Sequence, residues 1–233
     1  MFLAPYFSKQ NQAISVSAQQ ASDFAKKIAQ DFNPIHDVGA KRFCVPGDLL
    51  FALVLTQYGL SQSMKFSFAG MVGDSVELQF PEQVSESFSI RDSREKTYLN
   101  VSRHGDVSCC DAQTESFIRQ YVAFSGHNFI DILIPLMKQH QVMINPERPL
   151  VIYESMSFDL TTLDFVQVTL SLVGQDLKID GKRGDVTLHF ELHSGDTLVG
   201  TGIKTLVMSG LRAYDEVLVQ QMRATYEGRK TDY

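Results

Sequence analysis

The chain has 233 residues, 44% of them apolar, and a formal net charge of −6, which is material for one large domain or two of about 115 residues each. The negative balance and the lack of a long basic run argue against a nucleic-acid partner and leave small molecules or other proteins. Three cysteines, Cys44 and the adjacent Cys109 and Cys110, make neither a disulfide framework nor a spaced zinc cluster, which fits a reducing compartment.

The opening segment, MFLAPYFSKQ, has no basic start, long apolar core or small-residue cleavage site, so the expectation is a cytoplasmic protein with neither export signal nor membrane anchor. Ala13 to Val16 alternates enough for a short strand. Ser17-Ala18-Gln19-Gln20 then has the Ser-x-x-Gln form of a capping box, which starts a helix. Its apolar positions Ala21, Phe24, Ala25 and Ile28 keep helical spacing up to Asp31.

In Asp31-Phe32-Asn33-Pro34-Ile35-His36 a carboxylate and an imidazole stand five residues apart. Pro34 between them forbids a continuing helix, so both side chains can face one point. Phe43-Cys44-Val45 reads as the setting of a buried, inert thiol. From Pro46-Gly47-Asp48 a second helix begins, and Leu49 to Leu55 is apolar on every face. Such a helix is buried all round. It is too short to cross a bilayer, so the expected cover is a sheet wrapped around it. A titratable pair at the mouth of a buried helix is a site candidate.

The pattern then turns strand-like, with candidates at 64–68, 75–80, 88–90, 97–102 and 107–117, and with His104-Gly105-Asp106 as a tight turn. A helix over 128–140, kinked at Pro135, precedes another strand series from Leu150 to Met208. Ser67-Phe68 recurs as Ser157-Phe158, Gly105-Asp106 as Gly195-Asp196 and Asp74 as Asp164, all at an offset of 90 residues, which favours two copies of one unit. The junction is expected between Tyr121 and Gly126, giving units of 1–123 and 124–233. A modest helix over 214–224 and a frayed tail from Glu227 complete the chain.

The run from Asp31 to His36 resembles the Asp-x-Asn-Pro-x-His motif of the MaoC-like, (R)-specific enoyl-CoA hydratases of the hotdog fold, over residues 13 to 80 by sequence and beyond that by architecture. The resemblance implies an α+β double hotdog, two tandem units each with an antiparallel sheet wrapped around a buried helix. It implies a catalytic pair, Asp31 and His36, that activates a water for addition to a 2-enoyl thioester of coenzyme A or acyl carrier protein. Asn33 and Gly47 would contact the substrate, Gly47 through a backbone N–H reinforced by the helix dipole. No metal or redox cofactor is required, and the remaining histidines have no spacing suited to metal ligation. Three departures mark this chain: Ala29-Gln30 where the family has Ser-Gly, Pro46-Gly47-Asp48 where it has His-Gly-Met, and a shorter stretch from His36 to Gly47. The alternatives are a non-catalytic acyl-thioester-binding protein and an acyl thioesterase in which water, activated by Asp31, attacks the thioester carbon. Both a self-sufficient pseudo-dimer of the two units and a further homodimer are compatible with this reading.

Overall fold

The computed structural model describes residues 2–231. A hairpin of β1 (Ser8–Gln10) and β2 (Ala13–Ser15) leads into α1 (Ala18–Phe24). The predicted capping box opens this helix: the Ser17 hydroxyl accepts the Gln20 N–H, and the Gln20 side chain accepts that of Ser17. A π-helical turn, Ala25–Ala29, extends it to Gln30.

Next come α2 (Gly47–Tyr58), β3 (Leu60–Phe68), β4 (Leu78–Gln79), β5 (Ser87–Asp92) and β6 (Thr97–Ser108). Then follow α3 (Asp111–Gly126), a π-helical turn (Phe129–Leu133), α4 (Ile134–Gln139) and β7 (Val142–Met143). The chain closes with β8 (Leu150–Leu160), β9 (Thr169–Asp180), β10 (Arg183–Ser194), β11 (Thr197–Ser209), β12 (Arg212–Ala213) and α5 (Glu216–Thr231).

Ten strands form one antiparallel sheet in the order β1-β2-β4-β5-β6-β3-β8-β11-β10-β9, and β7 pairs with β12 apart from it. Its centre is the β3–β8 pairing, with Met64 opposite Phe158 and Phe66 opposite Met156. The strands that carry the repeated Ser-Phe pairs therefore join the two halves. As its composition requires, α2 is enclosed, with every residue from Asp48 to Leu55 buried. The Phe51 ring stacks on Tyr121 of α3 at 4.5 Å and meets Phe66 of β3 and Phe158 of β8 edge-on at 4.9 and 6.4 Å. One aromatic side chain thus ties the central helix to both halves of the sheet and to α3. The architecture is an α+β double hotdog.

Four local expectations are corrected. The strand expected over 107–117 is the end of β6 followed by α3, because Phe117, Ile118, Tyr121, Val122 and Ser125 keep helical spacing and are all buried. That helix also runs across the expected 123/124 boundary. Gly105 is not in a turn but inside β6, with φ 79° at a register shift against β3, where a Cβ would come within 2.6 Å of the Gln62 side chain. Gly195, by contrast, does turn between β10 and β11, with φ 58°. Pro135 does not kink a helix midway but stands early in α4 after the π-helical turn. Pro135 has no N–H to donate, and the Ile134 N–H before it bonds five back, to the Phe129 carbonyl. The tail expected to fray from Glu227 continues α5 to Thr231; Asp232 and Tyr233 lie outside the described residues.

Candidate active site

The α1 helix ends in a left-handed residue, Gln30 (φ 55°, ψ 30°), and the Asp31 N–H returns to the Ala25 carbonyl at 2.8 Å. This reversal swings Asp31 out of the helix direction. Asp31 Oδ1 accepts the Asn33 N–H at 2.9 Å, and Asn33 Oδ1 accepts the Ile35 N–H at 3.2 Å, capping the 3-10 turn Pro34–His36. The proline turn therefore forms as its residue types dictate. It brings His36 Nε2 to 3.6 Å from Asp31 Oδ2, with the two residues only 8% and 9% exposed.

The other ring nitrogen, His36 Nδ1, lies 2.6 Å from the Cys44 carbonyl. A carbonyl only accepts, so Nδ1 carries a proton toward it, and Nε2 is the ring nitrogen that faces Asp31. The 3.6 Å gap is too long for a direct hydrogen bond but leaves room for one oxygen at about 2.8 Å from each atom. Burial pushes the Cys44 thiol up to about 11, and its Sγ donates to the Val45 carbonyl, so it is a protonated wall residue rather than a nucleophile.

Asp31, Asn33, His36 and Gly47 all line one cavity of about 220 Å³, walled largely by apolar side chains that include Leu50, Phe68, Val72, Val151 and Leu206. Gly47 opens α2 at this wall. A Cβ there would lie 3.0 Å from the Phe68 ring and 3.2 Å from that of Tyr153, so any side chain would press on both rings. Beside the cavity runs a cleft of about 820 Å³ that shares Asn33, Ile35, Phe129 and Val151 with it. Lys41, Arg42, Arg148 and Arg229 line the cleft, and α5 forms one side of it.

Asp48, the second residue of α2, is engaged by two side chains from the other elements. Its Oδ2 accepts the Ser125 hydroxyl at 2.6 Å, and its Oδ1 lies 3.6 Å from Lys204 Nζ. Lys204 is fully buried on β11, donates to Ser125 Oγ, and lies 3.5 Å from the centre of the Tyr153 ring. Burial raises the Asp48 pKa and lowers that of Lys204, and each partner partly offsets the effect on the other.

The turn residues were readable in the sequence; Ser125, Asn128, Tyr153, Lys204 and Tyr226 were not. Lys204 had a signal, because strand alternation puts it on the same buried face as Gly202, Leu206 and Met208. Tyr226 reaches the turn from α5: its hydroxyl accepts the Phe32 N–H at 3.0 Å and faces Asp31 Oδ1 at 3.3 Å and the Gly126 carbonyl at 3.2 Å.

Fold and site together define a double-hotdog protein with an Asp–His pair at the mouth of its buried helix. The chain belongs to the DUF3581 family, whose model, described as "Protein of unknown function (DUF3581)", matches residues 1–217. Comparison with curated proteins gives no match. Among solved structures, the tesB protein of Mycobacterium avium subs paratuberculosis is similar at 10% identity and a TM-score of 0.47, over 88% of this chain and 96% of that one. A putative MaoC domain protein dehydratase from Chloroflexus aurantiacus is similar at 8% identity and a TM-score of 0.46, over 87% and 94%. A conserved protein of unknown function with hot dog fold from Alicyclobacillus acidocaldarius is similar at 9% identity and a TM-score of 0.44, over 90% and 98%. No helix among the described residues is long and apolar enough to cross a membrane.

Proposed function

We propose that this chain is a MaoC-like hydratase that adds water to 2-enoyl thioesters, or removes it from 3-hydroxyacyl thioesters, carried by coenzyme A or acyl carrier protein. The observation that carries the reading is the pair itself: Asp31 Oδ2 and His36 Nε2 face each other across 3.6 Å in the wall of a largely apolar cavity at the start of α2. Two acceptors at that spacing hold one water by both its protons and leave an oxygen lone pair free to attack C3 of the enoyl group. One of the two takes the water proton, and a proton is returned to C2. Between these steps negative charge gathers on the thioester oxygen, where the Gly47 N–H at the start of α2 would meet it.

Asp48 does not oppose this role. Its oxygens go to Ser125 and Lys204 rather than across the Gly47 N–H, which favours a working site over a degenerate one. Asn33 serves the substrate by holding the turn. In this reading the N-terminal unit (1–123) supplies the acid–base turn and the C-terminal unit (124–233) the opposite wall. The adjoining cleft, with Lys41, Arg42 and Arg148 at its rim, suits the phosphate-bearing arm of either carrier.

Asp31→Asn and His36→Ala should each slow hydration of a short 2-enoyl thioester by about 10²–10⁴-fold, with losses far from additive in the double variant. Loss of the enoyl absorbance with the thiol still masked identifies hydration. Release of free thiol would make the protein a thioesterase, and binding without turnover at any chain length would leave an acyl-thioester-binding module.

A further inference from the structure

The chain carries a net charge of −6, yet the cleft beside the Asp31–His36 cavity has the opposite balance. Lys41, Arg42, Arg148 and Arg229 line it against two carboxylates, Asp37 and Glu147. Asp37 is already committed, since it pairs with both Lys26 and Arg229. Lys41, Arg42 and Arg148 are exposed, and among the described residues their side chains form neither an ion pair nor a hydrogen bond. Like charges gathered on one concave surface repel one another and draw in an anion that neutralises them.

The size and the apolar part of the cleft narrow down that anion. Its volume of about 820 Å³ lies within the roughly 300–1,000 Å³ usual for ligand pockets. Phe129, Ile144, Leu218 and Met222 also line it, and such an apolar surface accepts the face of a planar base. Asn33, Ile35, Phe129 and Val151 belong to the lining of cleft and cavity alike, so one ligand can occupy both. The two carriers of an acyl thioester share a pantetheine arm and differ beyond it. In coenzyme A the arm continues into a diphosphate and a 3′-phosphorylated adenosine, with about four negative charges. On a carrier protein it ends in a single phosphodiester, with about one, and the protein itself stays outside. Three uncommitted cations and an apolar wall answer the first and are surplus for the second.

We propose that the cleft holds the phosphorylated nucleotide end of coenzyme A, and that Lys41, Arg42 and Arg148 select this carrier over acyl carrier protein. Lys41 and Arg42 follow the Asp31 turn and Arg148 precedes β8, so the nucleotide bridges the two halves of the chain. This rests on the acyl-thioester reading but not on turnover, so it is tested by binding. The probes are S-propyl thioethers, which are neither hydrated nor hydrolysed, on three carriers: coenzyme A, free 4′-phosphopantetheine and phosphopantetheinylated acyl carrier protein.

By titration calorimetry the wild type should bind the coenzyme A thioether about tenfold or more tighter than either of the others, and added salt should shrink that advantage. Arg42→Gln combined with Arg148→Gln should remove most of the advantage while the phosphopantetheine thioether still binds, which also shows that the variant is folded. A wild type that binds the phosphopantetheine or carrier-protein thioether as tightly as that of coenzyme A overturns the proposal, whatever the variant does. So does a double variant that keeps the full advantage. Either result leaves the acyl-thioester reading standing, because a thioether still binds. If no thioether binds at all, the acyl-thioester reading falls and takes this one with it.

Discussion

Gln30 and Gly126 hold the Asp31 turn from opposite sides, and neither is a residue that chemistry alone would single out. Gln30 takes the left-handed conformation in which a side chain costs about 1–2 kcal/mol, at the position where the resembling hydratases carry glycine. Gly126 closes α3 against the same corner: a Cβ there would stand 1.7 Å from the Ala29 carbonyl oxygen and 3.1 Å from the Asp31 nitrogen. Backbone cannot yield as a flexible side chain does. Gly126→Ala should therefore destabilise by about 1–3 kcal/mol in denaturant unfolding despite the better helix propensity of alanine. It should also lower turnover, because relief of the clash moves Asp31. Unchanged stability would show that α3 can back away from the turn.

At the level of elements, α5 is the part whose role the sequence disguised. Its exposed face is charged, and only Val219 and Tyr226 are buried. Tyr226 is nevertheless the anchor that pins the turn to Gly126, and Arg229 pairs with Asp37 just beyond the turn. Burial, with the Asp31 carboxylate nearby, pushes the Tyr226 hydroxyl well above the ordinary phenol range, so it acts as a neutral donor. Tyr226→Phe removes that donor and strands the Phe32 N–H, which should cost about 1–3 kcal/mol. Hydration should fall with it, since Asp31 loses a contact that orients it. Full stability and full activity in the Tyr226→Phe protein would reduce α5 to a cover for the cleft.

Across the whole molecule, the buried pair of Lys204 on β11 and Asp48 on α2 joins the C-terminal strands to the helix of the N-terminal half. Lys204→Met leaves the Asp48 carboxylate buried and uncompensated, an expected loss of about 3–5 kcal/mol, whereas Asp48→Leu combined with Lys204→Met should recover most of it. The single variant should also depend on pH. Burial already raises the pKa of Asp48 in the fold, and removal of the lysine raises it further. The folded state then holds a proton that the unfolded chain releases, so stability is retained at low pH and lost as pH rises through the carboxylate range. Denaturant midpoints between about pH 4 and 8 check the sign; a flat profile would mean that water reaches Asp48.

By itself the sequence determined the local events: the capping box at Ser17, the proline turn from Asp31 to His36, the all-apolar helix that had to be enclosed, and a strand series between Leu150 and Met208. Each rests on interactions within a few residues or on a periodicity that admits one burial pattern. Val107 to Phe117 misled because two cysteines and an aspartate break β6 only a few residues before the helical spacing of α3 becomes visible. Only the tertiary structure decided which side chains face Asp31 and His36. Ser125 at the end of α3, Asn128 just beyond it and Tyr153 on β8 line the cavity, Tyr226 on α5 meets Asp31, and Lys204 on β11 stands behind them with Asp48. They converge there because β3 pairs with β8 at the centre of the sheet and folds the second half over the mouth of α2. Such pairing between distant segments leaves no local trace in the order of residues.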